Sequence, residues 1–158
     1  MFMYRVLITG DTHGHIKSVL ELMENVAFDA VIHLGDYVRD ASEIAKIYKD
    51  KKVYFVRGNN DFSGENEKVI EIAGHKIFIC HGHTLGVNSN LLKLSLAARE
   101  KGALVALHGH THAPEDLMVN SVRIFSPGSP TYPRMSSPAV GILEADDNYF
   151  EMAHYYMK

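Results

Sequence analysis

The apolar run Ala103-Leu104-Val105-Ala106-Leu107 breaks into His108-Gly109-His110-Thr111-His112. Such a run reads as a buried strand, which puts the three imidazoles at or just beyond its end, where open α/β sheets carry their chemistry. Four more short apolar, β-branched runs end in the same manner, at Asp11-Thr12-His13, Gly35-Asp36, Gly58-Asn59-Asn60-Asp61 and Cys80-His81-Gly82-His83. A fold that gathers these strand ends collects metal-ligating side chains in one place, since neutral imidazole is the commonest side-chain metal ligand.

The spacing of apolar residues predicts strands over 4–9, 30–34 and 52–56 alternating with helices over 16–26 and 42–48. That alternation marks parallel βαβ units. Two strand-like runs, 68–73 and 76–80, then flank Gly74-His75 as a hairpin; a helix over 90–101 ends at Gly102, and a second hairpin spans 117–120 and 122–125. A Pro/Ser/Gly loop over 126–138 precedes strands over 139–144 and 149–156. Parallel units followed by a largely antiparallel set predict an α/β four-layer αββα sandwich, two mixed β-sheets packed face to face with flanking helices. Periodicity alone also allows a three-layer sheet with an antiparallel extension.

The 158 residues suit a single domain over 1–158 that buries roughly two-thirds of its unfolded surface. A net charge of −3 argues against a generally basic nucleic-acid surface, so no nucleic-acid partner is predicted. The lone cysteine, Cys80, forms no internal disulfide, and by alternation along its strand it points away from His81. No apolar stretch approaches the ~20 residues of a membrane span, and no signal-like segment precedes the first strand. A cytoplasmic protein without membrane attachment is expected, with homo-oligomerisation left open.

The strand-end groups Asp11, His13, Asp36, Asn59, His81, His110 and His112 offer two carboxylates, one amide oxygen and four imidazoles. One catalytic zinc takes about three protein ligands, so two metals fit this set better. In two-metal sites a carboxylate commonly bridges cations ~3.5–4 Å apart, and a hydroxide held between them attacks a phosphoryl centre in line with its leaving group. Mixed nitrogen and oxygen donors suit Mn, Fe, Zn, Co or Ni better than Ca or Mg. Asp11 alone also suits the N-cap of a helix starting near Gly14.

The D-x-H at Asp11 to His13, the Gly35-Asp36 and Gly58-Asn59 pairs, His81 after its strand and the G-H-x-H at Gly109 to His112 resemble the calcineurin-like metallophosphoesterase family, in its compact single-domain phosphodiesterase branch. The resemblance implies that Asp11, His13 and His112 hold one divalent metal, that Asn59, His81 and His110 hold the other, and that Asp36 bridges them. It implies a phosphodiesterase acting on a small phosphate diester, with Asp36 and Asn59 in the catalytic centre; Asn60 and His83 beside them are further catalytic candidates.

Asn60 is a departure, because phosphatase members of the family carry a histidine there that serves the leaving group. An amide does not deliver a proton at neutral pH, so diesters with good leaving groups are expected, or His83 as the acid. Asp40, four residues after Asp36, displaces the second acid of the family's segment, with Arg39 before it. Ser126 or Ser129 and Arg134 are candidate phosphate contacts, Arg134 because guanidinium matches two oxygens at once. His33, His75 and His154 read as structural, His108 as a residue that orients a ligand, and His15 as a neighbour of the site. Two alternatives stand beside catalysis: a protein-binding scaffold on the same fold, like the retromer scaffold subunit, and a metal-dependent nuclease, which needs a basic groove.

Overall fold

The computed structural model describes residues 2–157, so positions 1 and 158 of the expected domain lie outside it. In chain order the elements are β1 (Tyr4–Thr9), α1 (Lys17–Asn25), β2 (Ala30–His33), α2 (Val38–Ile47), β3 (Lys52–Phe55), β4 (Glu67–Ile72), β5 (His75–Cys80), α3 (Leu92–Glu100), β6 (Val105–Leu107), β7 (Pro114–Val119), β8 (Val122–Pro127), β9 (Ala139–Ala145) and β10 (Phe150–Tyr156). A 3-10 turn, His83–Leu85, follows β5. The strands form two five-stranded sheets, ordered β10-β9-β1-β2-β3 and β4-β5-β6-β8-β7.

Period-two alternation explains the layering. Val6 and Ile8 of β1 meet Ile77 and Ile79 of β5, with Ile32, Leu107 and Phe125, in a core between the sheets. Leu7 and Val31 face the other way, onto Val19, Leu22 and Met23 of α1 and Ile44 of α2. Phe78 and Cys80 of β5 likewise turn outward onto Leu94 and Ala98 of α3. The layers are therefore α1 and α2, first sheet, second sheet, α3, the predicted αββα sandwich. Strands buried on both faces read as the near-continuous apolar runs seen in the sequence.

The expected split into an early parallel set and a later antiparallel one is corrected in detail. The final hairpin joins the first sheet, with β9 antiparallel to β1, while β5, β6 and β8 of the second sheet run parallel. Alternation tells which face a residue shows but not which sheet receives its strand. Helix α2 starts at Val38 rather than residue 42, because Asp61 Oδ1 accepts the Val38 N–H at 2.8 Å and satisfies a first-turn donor. The first hairpin turns at Ala73-Gly74, with φ of 49° and 84°, and His75 already belongs to β5.

Candidate metal centre

Parallel strands end on the same side, and here two sheets deliver their ends to one place. Asp11 and His13 follow β1, Asp36 follows β2, Asn59 follows β3, His81 follows β5, and His110 and His112 follow β6. Backbone contacts join the two sets: the His110 N–H donates to Asp11 Oδ2 at 3.0 Å and the Gly109 N–H to the His81 carbonyl at 2.9 Å. A Cβ at Gly58 would run into the Asp36 carboxylate, and one at Gly109 would come within 3.0 Å of Asp11 Oδ2, so glycine is what lets these strand ends approach. Asp11, His13, Asp36, His110 and His112 all hold left-handed φ values between 46° and 72°. Non-glycine residues in that region cost about 1–3 kcal/mol each and persist where the surroundings over-determine them.

The donor atoms converge. His81 Nε2 lies 3.0 Å from Asn59 Oδ1, 3.3 Å from His110 Nδ1, 3.5 Å from Asp36 Oδ2 and 3.7 Å from Asp11 Oδ1. His112 Nε2 is 3.5 Å from Asp11 Oδ1, and His13 Nε2 is 3.6 Å from Asp36 Oδ2. The His81 Nδ1–H donates to the Leu34 carbonyl at 2.7 Å and the His112 Nδ1–H to the Tyr132 carbonyl at 2.6 Å. A carbonyl only accepts, so each ring carries its proton on the far side and turns an unprotonated Nε2 toward the carboxylates.

Electrostatics agree with that arrangement. Burial lowers the His81 pKa to about 4 and lowers those of His110 and His112, so these rings stay neutral and able to ligate. Burial and the nearby Asp36 raise Asp11 well above the carboxylate range. Asp36 is pulled down instead: burial opposes its ionisation, but His81 and two hydrogen bonds from Asn60 outweigh it. Asp11 Oδ1 and His13 Nε2 are buried with no hydrogen-bond partner. Orphaned buried polar atoms cost about 1–3 kcal/mol each, and lone pairs facing lone pairs add repulsion. A cation relieves both, so the residues present fit divalent metal.

Two groups of donor atoms lie within 4.8 Å of one another: Asp11, His13 and His112, and Asp11, Asp36 and His81. The first is the set expected for one metal. In the second, Asp11 as well as Asp36 reaches toward His81, so both carboxylates span the cluster.

Around the donors, Asn60 Nδ2 donates to Asp36 Oδ2 at 2.7 Å, and the His83 ring sits 5.3 Å from that of His81. Arg134 lines a 750 Å³ cleft with His13, Tyr37, His112, Thr131, Tyr132 and Pro133. Ser129 is a correction. It is buried, donating its hydroxyl to the Asp11 carbonyl and accepting from the Thr131 and Tyr132 N–H groups, so it shapes the loop and offers nothing to phosphate. Ser126 is buried as well. Asp11 caps no helix, since α1 begins at Lys17 without a side-chain cap.

Sequence reasoning missed the residues that brace the donor loops. Asp61 accepts from the N–H groups of Asp36, Val38 and Gly58, locking two strand ends together. His33 Nδ1 accepts the Gly35 N–H, which leaves Nε2–H to donate to Thr12 Oγ1, and Thr12 in turn donates to Asp40. His108, which the sequence already marked as an orienting residue, donates its Nδ1–H to the Gly109 carbonyl, and its Nε2 lies 3.2 Å from Glu115 Oε1.

Residues 4–148 match the calcineurin-like phosphoesterase superfamily domain. A probable metallophosphoesterase of Methanocaldococcus jannaschii is 36% identical over 133 residues, 83% of this chain and 67% of that one. A protein of the same organism named a phosphodiesterase is 27% identical over 165 residues, 90% of this chain and 93% of that one. Among solved structures, a predicted phosphoesterase of Streptococcus pneumoniae TIGR4 superposes with a TM-score of 0.80 at 29% identity, covering 99% of this chain and 91% of that one. Vps29 of Entamoeba histolytica shares the fold, with a TM-score of 0.77 at 23% identity over 98% and 99% of the two chains. With a family match that runs from residue 4 to residue 148, the chain belongs to the calcineurin-like phosphoesterase superfamily.

Proposed function

We propose that this protein, acting as one domain, is a metal-dependent phosphodiesterase whose seven donors, Asp11, His13, Asp36, Asn59, His81, His110 and His112, hold two divalent cations. The observation that carries the reading is the convergence of unprotonated Nε2 and carboxylate oxygens on one another, with Asp11 Oδ1 and His13 Nε2 buried and unpartnered. Cations bound there supply Lewis acidity, lowering the pKa of a water and accepting charge that develops on phosphoryl oxygens. Asp36, the more readily ionised carboxylate, spans from His13 to His81 and offsets the repulsion between two positive charges.

The preference for diesters follows from what the chain lacks beside Asp36. Asn60 donates a hydrogen bond but holds no acidic proton, and burial lowers the His83 pKa, so few His83 rings carry a proton at pH 7. A leaving oxygen therefore departs with little help, which suits a diester with a stable leaving group. The relative named a phosphodiesterase is consistent with this. A nuclease needs a basic groove that a net charge of −3 does not advertise. The scaffold reading shares the fold with Vps29 but gives no reason for the complete donor set.

The test is hydrolysis of bis(4-nitrophenyl) phosphate by chelator-stripped protein refilled with Mn, Ni, Zn or Mg. Activity restored by at least one metal, and reduced more than a hundredfold by Asp36→Asn, is the expected result. No activity with any of them favours the scaffold.

A further inference from the structure

The walls beside the metal centre are aromatic, and they form two clefts rather than one. Tyr37 directly follows Asp36, and its ring lies 5.6 Å from that of His13; the Tyr132 ring lies 5.7 Å from the same imidazole. Both tyrosines line the 750 Å³ cleft together with Arg134. A second cleft of 430 Å³ is lined by Tyr37 again, with Arg39, Asn60, Phe62 and Ser63 among its residues. Tyr37 is thus a partition between two hollows, each furnished with a further aromatic ring and one arginine.

The two tyrosines are held in place while their faces stay open, and Phe62 stands free at the rim of its cleft. The Tyr132 N–H donates to Ser129 Oγ at 2.8 Å, its carbonyl accepts a hydrogen bond from the His112 Nδ1–H, and its hydroxyl lies 3.3 Å from His15 Nδ1, yet the residue is 47% exposed. The Arg39 guanidinium lies 5.5 Å from the Tyr37 ring centroid, a cation–π contact that stiffens the partition. Phe62 is fully exposed, two residues from the Asn60 amide that touches Asp36. Fixed aromatic faces such as those of Tyr37 and Tyr132 bind planar rings at low entropic cost, and edge-to-face or offset stacking, to which the exposed Phe62 can add, increases the apolar burial.

Resting on the phosphodiesterase reading, we infer that the substrate is a phosphodiester carrying a planar aromatic group, aryl or nucleobase, laid across Tyr37 with its phosphorus at the donor cluster and one arm in each cleft. A monoester fills only one of them. The arginines, one per cleft, suit both the anionic phosphodiester and the face of an aromatic ring.

The experiment compares phenyl 4-nitrophenyl phosphate with methyl 4-nitrophenyl phosphate on the metal-loaded protein. Both release 4-nitrophenolate, so the ratio of their kcat/KM values reports the retained arm, and within each variant it cancels any change common to both esters. The expected wild-type ratio favours phenyl by about tenfold or more, mainly through KM. Either Tyr132→Ala or Phe62→Ala brings the ratio near one, which assigns that cleft to the retained arm, while Tyr132→Phe keeps the wild-type ratio. A wild-type ratio near one, or a ratio that neither alanine variant moves, overturns the inference and leaves the phosphodiesterase reading standing. No hydrolysis of either ester with any metal overturns that reading and the cleft assignment with it.

Discussion

At position 33 the side chain that looked like a structural spacer joins two donor loops. His33 is fully buried, accepts from the Gly35 N–H and donates to Thr12, and so connects the loop of Asp36 to the loop of Asp11 and His13. Burial holds the ring neutral, lowering its pKa to about 4 from 6.5. The unfolded chain binds a proton near pH 6.5, so this contribution to stability is present above that pH and is lost as pH falls toward 4. Between pH 7 and pH 5 the loss is about 2 kcal/mol. Comparing urea midpoints of metal-stripped wild type and His33→Gln at those two pH values measures it: the variant is expected to lose about that much of the difference and to keep the share that His81 contributes; an unchanged difference contradicts the assignment. The donors themselves were legible, because His, Asp and Asn after apolar runs are visible in one dimension. Asp61 and His33 were not, since what they do depends on partners such as Asp36 and Thr12, which lie 25 and 21 residues away.

Helix α3 belongs to the scaffold and supplies no donor. It packs Leu94 and Ala98 onto Phe78, Ala106 and Ile124 on the outer face of the second sheet. Leu94→Ala leaves a void there and is expected to cost about 2–5 kcal/mol by chemical denaturation. Hydrolysis at 25 °C by the folded variant should stay within about twofold of wild type, since cavity costs act chiefly on the unfolding equilibrium. A tenfold loss of activity at unchanged metal content would show that α3 positions the strand ends instead. The helices and strands were readable from periodicity, but sheet membership was not. Strand β9 pairs with β1, more than a hundred residues earlier, and Arg123 of β8 reaches Glu151 of β10 across the sandwich at 2.7 Å. Such pairings are decided by three-dimensional packing, which a local pattern does not encode.

Across the whole molecule, the centre lies where the two sheets meet. Asp11, His13, Asp36 and Asn59 come from the first sheet, and His81, His110 and His112 from the second. Cations at this seam crosslink the layers, so binding and folding are linked, and saturating metal at about a hundred times its Kd adds about 2.7 kcal/mol per site. No helix among the described residues is long and apolar enough to cross a membrane. At this seam buried carboxylates and imidazoles face each other, Asp11 Oδ1 and His13 Nε2 lack hydrogen-bond partners, and five donors hold left-handed backbone. Anomalous diffraction from crystals grown with Mn²⁺ tests this account most directly. Two peaks about 3.5–4 Å apart are predicted, both within bonding distance of Asp36, with His13 and His112 on one side and Asn59, His81 and His110 on the other. A single peak, or none among these seven side chains, would contradict it.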